Sequence, residues 1–180
     1  MPLPARGTAA AAQALRNQKQ WQASLTLWQQ ALSQAPDSDD YRSGYIKTLA
    51  DARKDGEALS EARRLVAEQA SVAHLQTLSY VYLRLGKSWD QLLVDTQILD
   101  REPQNKAALA SLMATLTRNR IDSPALGLAD SVELTPAEKR NLQLNAAAEL
   151  VRLADTPSRE ENARYALART ALTQYDAMIA

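Results

Sequence analysis

The chain has 180 residues, 21 basic and 21 acidic, so its formal net charge is zero and a general electrostatic grip on nucleic acid is not indicated. Cysteine is absent, which excludes disulfides and thiolate chemistry, and no run approaches the roughly 18 apolar residues of a membrane span. Hydrophobic residues make up 46%, much of it alanine, with no phenylalanine and only five glycines, a balance that favours helix throughout and very little strand.

No signal peptide is recognisable, and Met1-Pro2-Leu3 reads as the start of a fragment. The first helix is predicted from about Ala5 to Asn17, with a turn at Gln18–Gln20. The next stretch, Gln20 to Pro36, places Trp21, Ser24, Leu25, Trp28, Ala31, Leu32 and Ala35 on one helical face, the spacing of a buried stripe. Pro36 stops it, because proline disfavours helical backbone at the preceding residue. Asp37-Ser38-Asp39-Asp40 then supplies cap residues and first-turn carboxylates for a third helix, about Asp39 to Arg53, whose apolar side is Tyr41, Tyr45, Ile46 and Leu49.

Lys54-Asp55-Gly56 reads as a turn, and Glu57 to Gln69 as a fourth helix. Ser71 caps a fifth, about Val72 to Leu85, which Gly86 stops. Ser88-Trp89-Asp90-Gln91 is a capping box for a sixth helix to about Arg101, before Pro103. A seventh covers about Asn105 to Arg118. Ser123-Pro124 opens an eighth to about Val132, Thr135-Pro136-Ala137-Glu138 opens a long ninth to about Ala154, and Thr156-Pro157-Ser158 opens a last one ending near Ile179.

Small residues facing large aromatics, closed by a proline, is the pattern of the second helix of a tetratricopeptide repeat, and Ser24, Trp28, Ala31 and Pro36 occupy its offsets. Trp21 to Trp89 is 68 residues, twice the 34-residue period. The expected fold is therefore all-α: a right-handed α-α superhelix, a tetratricopeptide solenoid of antiparallel helix pairs with about ten helices. It is read as a single domain over 1–180, with repeats at about 5–38, 39–71, 72–105 and 106–135 and a partial or capping helix pair at 136–180. Gln91 and Asp95 depart from the pattern, standing where a small and a bulky residue are expected.

The first helix of each pair lines the concave surface of such a solenoid. The residues turned toward it are Arg6, Gln13, Arg16 and Asn17, then Asp40, Ser43, Lys47 and Asp51, then Gln76, Tyr80 and Arg84, and lastly Thr117 and Arg118. This lining is polar and mixed in sign, suited to a peptide or a hydrophilic polymer. Tyr80 is open to two readings, packing between repeats or exposure in the groove. No catalytic residue, metal site or cofactor is expected. His74, the single histidine, reads as a solvated residue near a helix start, and no Gly-rich phosphate loop accompanies it. The carboxylate pairs Asp39/Asp40 and Glu160/Glu161 read as helix-start residues rather than acid–base groups.

Two flanking stretches carry a more specific likeness. LPARG at Leu3–Gly7, QWQASLTLWQQAL at Gln20–Leu32, DDY at Asp39–Tyr41, TLAD at Thr48–Asp51 and AELVRLADTPSREENARYALARTAL at Ala148–Leu172 resemble the periplasmic tetratricopeptide-repeat region of the poly-β-1,6-N-acetyl-D-glucosamine export porins. Between about Asp55 and Pro136 only the repeat pattern persists. The resemblance implies a non-enzymatic periplasmic module of an outer-membrane exopolysaccharide exporter, active in biofilm formation. It further implies binding of the partly de-N-acetylated polymer, scaffolding of its periplasmic deacetylase, or both. The alternative is a generic adaptor that binds a peptide in its groove.

A deacetylated polymer carries ammonium groups, which favours carboxylates beside an aromatic ring. Asp37, Asp39, Asp40, Tyr41 and Asp51, with Tyr80, are the residues expected to meet it, within a groove that also holds Ser43, Lys47, Gln76 and Arg84. For Asp37–Asp40, helix capping is the competing reading.

Overall fold

In the computed structural model, residues 4–102 and 105–118 are described. They form seven helices: α1 Ala5–Asn17, α2 Trp21–Gln34, α3 Asp39–Asp51, α4 Asp55–Glu68, α5 Val72–Leu85, α6 Ser88–Arg101 and α7 Lys106–Arg118. Among the described residues there is no strand, and no helix is long and apolar enough to cross a membrane. The all-α helical-repeat class expected from the sequence is what the structure has. The three further helices expected beyond Arg118 lie outside the described residues, as do Pro103 and the stretch around Ala148–Leu172. The chain divides into two compact units, Met1–Lys87 and Ser88–Ala180.

In the first unit α1 packs on α2, α2 on α3, α3 on both α4 and α5, and α4 on α5. The cause is the small-against-large stripe. Trp28 and Ala31 of α2 are buried with Ala9 and Ala12 of α1, and Tyr41 and Tyr45 of α3 close over them. The alanines let the helix axes approach, and the indole fills the remaining space. Ser24 Oγ, also buried, donates to the Ala12 carbonyl at 2.8 Å, which fixes the register of α1 on α2. Trp21, read as part of this stripe, is only half-buried. Further along, Ile46, Leu49, Ala58, Ala62, Leu65, Leu75, Leu78 and Val81 continue the core.

Helix starts and stops show how local chemistry sets these boundaries. Ser38 Oγ accepts from the Tyr41 N–H at 3.4 Å and Ser71 Oγ from the His74 N–H at 3.2 Å, capping α3 and α5. The ends of α1, α3 and α5 share one geometry. Lys19, Arg53 and Gly86 adopt left-handed backbone with φ of 61°, 61° and 69°, and they stand 34 and 33 residues apart. At each, the next residue's N–H reaches back to close the helix: Gln20 to the Leu15 carbonyl, Lys54 to Leu49 and Lys87 to Tyr82. These are Schellman closures, which satisfy the last helical carbonyls from the main chain itself.

Gly86 was legible as a stop. The turn expected at Lys54-Asp55-Gly56 is displaced: Arg53 takes the left-handed position, α4 starts at Asp55, and Gly56 is helical.

In the second unit α6 packs on α7, and Leu92, Val94, Ile98, Leu99 and Ala108 are buried. Asn105 caps α7, accepting from the Ala108 N–H at 3.0 Å. Gln91 and Asp95, which depart from the repeat pattern, are both buried and meet at Ser111. Gln91 Nε2 donates to Ser111 Oγ at 2.7 Å, and Ser111 Oγ donates to Asp95 Oδ2 at 2.6 Å. A polar bridge holds this helix pair where the sequence pattern would put a small-to-bulky contact.

Candidate functional site on α1, α3 and α5

Arg16 lies in the last turn of α1, Asp51 closes α3, and Tyr80 and Arg84 stand one turn apart on α5. Because α3 packs between α1 and α5, the three ends converge. Arg16 Nε is 2.7 Å from Asp51 Oδ2, and Arg84 Nε is 2.9 Å from Asp51 Oδ1. The Tyr80 hydroxyl donates to Asp51 Oδ1 at 2.6 Å and accepts from Arg16 Nη2 at 2.8 Å. The Arg16 guanidinium also sits over the Tyr80 ring, 5.2 Å from its centroid. Asp51, only 7% exposed in its side chain, thus accepts from Arg16 and Tyr80 and pairs with Arg84, side chains of two other helices.

Burial, and then the hydrogen bond to Asp51, raise the Tyr80 pKa, so the phenol stays a neutral donor. Lys47, one turn before Asp51 on α3, is half-buried on the same face. Burial, and then the charge of Arg16, lower its pKa, while Asp40 pulls the other way. Arg16 and Arg84 flank the Asp51 carboxylate, and Lys47 lies near Arg16 and Asp40.

Of the residues the sequence singles out, Lys47, Asp51, Tyr80 and Arg84 are brought together. Arg16, a groove residue by helical spacing, completes them. Tyr80 combines both of the roles open to it, since it links helices and remains half-buried. Ser43 and Gln76 are half-buried, and Asp37 and Asp40 are exposed.

Two others serve different ends. Tyr41 lies on the core, its ring 6.2 Å from that of Trp28 and tilted by 44°. Asp39 belongs to a second cluster at the start of α3. Its Oδ2 is 3.0 Å from His74 Nε2, and its Oδ1 is 3.8 Å from Arg42. Arg42 in turn holds Glu68 at 2.7 Å, and that hydrogen bond draws the Glu68 pKa down.

His74, read as solvated, is in fact 3% exposed. Its Nδ1 is 2.6 Å from the Gln69 carbonyl, so the ring bridges the α4–α5 turn and α3. Sequence reasoning missed this because the groups that cover the ring, Asp39 and the Gln69 carbonyl, lie outside its own helix. It could have found the ion pairs of the first cluster, since Arg16, Asp51 and Arg84 are opposite charges one repeat period apart.

A cavity of about 370 Å³ opens on another side of the first unit, lined by Tyr45, Leu49, Gly56, Glu57, Ser60 and Glu61. Gly56 leaves its mouth open, with nothing near the place a β-carbon would occupy. Its lining carries two carboxylates, one aromatic ring, one hydroxyl and no basic side chain. Glu57 pairs with Lys54 and Glu61 with Arg64, both outside the lining; Glu57, Lys54 and Arg64 are exposed and Glu61 is half-buried.

The chain is 39% identical over 176 residues to the poly-β-1,6-N-acetyl-D-glucosamine export protein of Escherichia coli strain K12, an alignment covering 98% of this chain and 21% of that protein. The protein of the same name from Escherichia coli O157:H7 gives the same figures. The chain thus spans about a fifth of the length of these curated relatives. No protein-family model matches the chain, and no solved structure matches it significantly.

Proposed function

We propose that this chain is a non-enzymatic periplasmic module of an outer-membrane exopolysaccharide exporter. It engages the partly de-N-acetylated poly-β-1,6-N-acetyl-D-glucosamine, its periplasmic deacetylase, or both during export. The observation that carries this reading is the alignment with the export protein, which runs through nearly the whole chain. The histidine and the buried Asp51 support the non-enzymatic part. His74 is held between a backbone carbonyl and Asp39, and Asp51 between Arg16, Tyr80 and Arg84, so both side chains are engaged within the fold.

For the polymer, the cavity at Tyr45, Glu57, Ser60 and Glu61 has the chemistry an amino sugar needs. Exposed ion pairs such as Lys54–Glu57 are worth at most about 1 kcal/mol and exchange readily for a ligand ammonium. Titration with short glucosamine oligomers tests this arm. Saturable binding of the deacetylated oligomer at low salt, and weaker binding of the fully acetylated one, is expected. Absence of any saturable binding would remove direct sugar recognition.

A second reading, an adaptor that holds protein in its groove, is favoured by the cation excess around Asp51. Capture of the deacetylase by the chain, and its loss on changing groove residues, is the matching test.

A further inference from the structure

The face shared by α1, α3 and α5 carries Arg16, Lys47 and Arg84 against the buried carboxylate of Asp51 and the exposed one of Asp40, an excess of one positive charge. Asp51 pairs with the Nε of both Arg16 and Arg84 and accepts from the Tyr80 hydroxyl, and the Lys47 ammonium has only the through-space attraction of the exposed Asp40. Arg84 is 39% exposed in its side chain, and its Nε lies 2.9 Å from Asp51 Oδ1. Lys47 makes no hydrogen bond or close ion pair with any described residue. Its ammonium is half-desolvated beside Arg16, a setting that an incoming anion improves and an incoming cation worsens.

The ammonium groups of a deacetylated glucosamine polymer are therefore repelled here. A long polyanion is also a poor fit, because it needs many phosphate contacts along a basic track, and this chain has zero net charge. A guanidinium fork with a neighbouring ammonium matches one or two carboxylates.

We propose that this face binds a carboxylate-bearing segment of a protein partner. Lys47 and Arg84 form the ion pairs, and Arg16, Asp51 and Tyr80 make the rigid floor beneath them. The assignment rests on the adaptor arm of the function above, and it separates the two ligands of that function by charge: ammonium sugar at the acidic cavity, acidic peptide at the basic face.

The test is titration of the whole 180-residue chain with hexaglutamate at low ionic strength. Saturable binding is expected, with Lys47→Gln and Arg84→Gln each weakening it about fivefold, the size of one partly exposed ion pair. Lys47→Arg should retain it, and Arg64→Gln, on another face, should leave it unchanged. Proton and nitrogen resonances of Lys47, Arg84 and Tyr80 in the unsubstituted chain should shift with the peptide, which covers any variant that fails to fold. Deacetylated glucosamine hexamer, titrated alone, should leave the resonances of Lys47 and Arg84 unmoved.

Failure of hexaglutamate to bind, equal weakening by Arg64→Gln, or movement of the Lys47 and Arg84 resonances by the glucosamine hexamer alone overturns the assignment. If hexaglutamate binds as described but the deacetylase is not captured, the site stands and the scaffold reading falls. If the deacetylase is captured by the Lys47→Gln and Arg84→Gln chains as well as by the original, the site falls and the scaffold reading stands.

Discussion

The backbone of Gly44 lies flat against the indole of Trp28, so closely that a β-carbon at position 44 would stand 2.5 Å from Cη2 and 2.9 Å from Cε2. The ring is 5% exposed and has alanines behind it, so it has nowhere to move. Gly44→Ala should therefore cost about 2–3 kcal/mol through overpacking. Trp28→Leu makes room, and the double variant should be less destabilised than the sum of the two single ones. Urea unfolding followed by circular dichroism measures both, and additivity of the two costs would show that the contact is not what matters.

Asp51 is the point on which three helices depend. Asp51→Asn leaves two arginines facing a neutral amide and should cost about 2–3 kcal/mol, toward the low end for a broken buried pair because Arg84 is partly solvated. Tyr80→Phe removes a single neutral donor and should cost about 1 kcal/mol. Thermal unfolding should rank the melting temperatures as original, Tyr80→Phe, Asp51→Asn. A reversed order would mean that the phenol, not the carboxylate, organises the cluster.

Left-handed backbone strains any residue with a β-carbon, and Lys19 and Arg53 both adopt it. Arg53→Gly relieves that strain and loses only a weak 3.4 Å bond to the Arg84 carbonyl. Against the extra entropy of glycine in the unfolded chain, a net gain of about 0.5 kcal/mol is expected. Gly86→Ala, at the equivalent position, should lose about 1 kcal/mol. A melting temperature lowered by Arg53→Gly would contradict this account.

Two groups of the cluster link stability to alkaline pH with opposite signs. The folded Tyr80 phenol has a pKa above its usual 10.0, so the folded chain holds the proton that the unfolded chain releases. Its contribution is complete below pH 10.0 and is lost as pH rises through the folded value. The folded Lys47 ammonium has a pKa below its usual 10.5, so stability rises as pH climbs through its folded value toward 10.5. Subtracting the pH–stability curve of Tyr80→Phe from that of the original should show a fall above pH 10.0. Subtracting that of Lys47→Met should show a rise below 10.5.

Much of the fold was written locally. The bounds of α5 follow from a serine cap before Val72 and a glycine after Leu85, both signals that act within a few residues. The start of α4 was not legible. Gly56 looked like the turn, but the left-handed residue is Arg53, held there by main-chain bonds rather than by its own preference. Position on the groove face could be read from helical spacing for Arg16, Lys47, Asp51, Tyr80 and Arg84 one at a time. Their pairing depends on how α1, α3 and α5 pack, which no spacing within one helix contains. His74 was misread for a related reason: it looked solvated at a helix start, and it is covered by Asp39 from another element, whereas Tyr41 lies on the apolar side expected of it.

The bond from Arg16 to Tyr80 joins residues 64 positions apart and skips over the helix pair between them. In an array whose units touch only their neighbours, each unit can fray independently of the next but one. A direct tie from α1 to α5 removes that freedom. It closes a long loop, so it forms late in folding, after the intervening helices are in place. Once closed, it makes α1 through α5 open together, as a clasp rather than a stack.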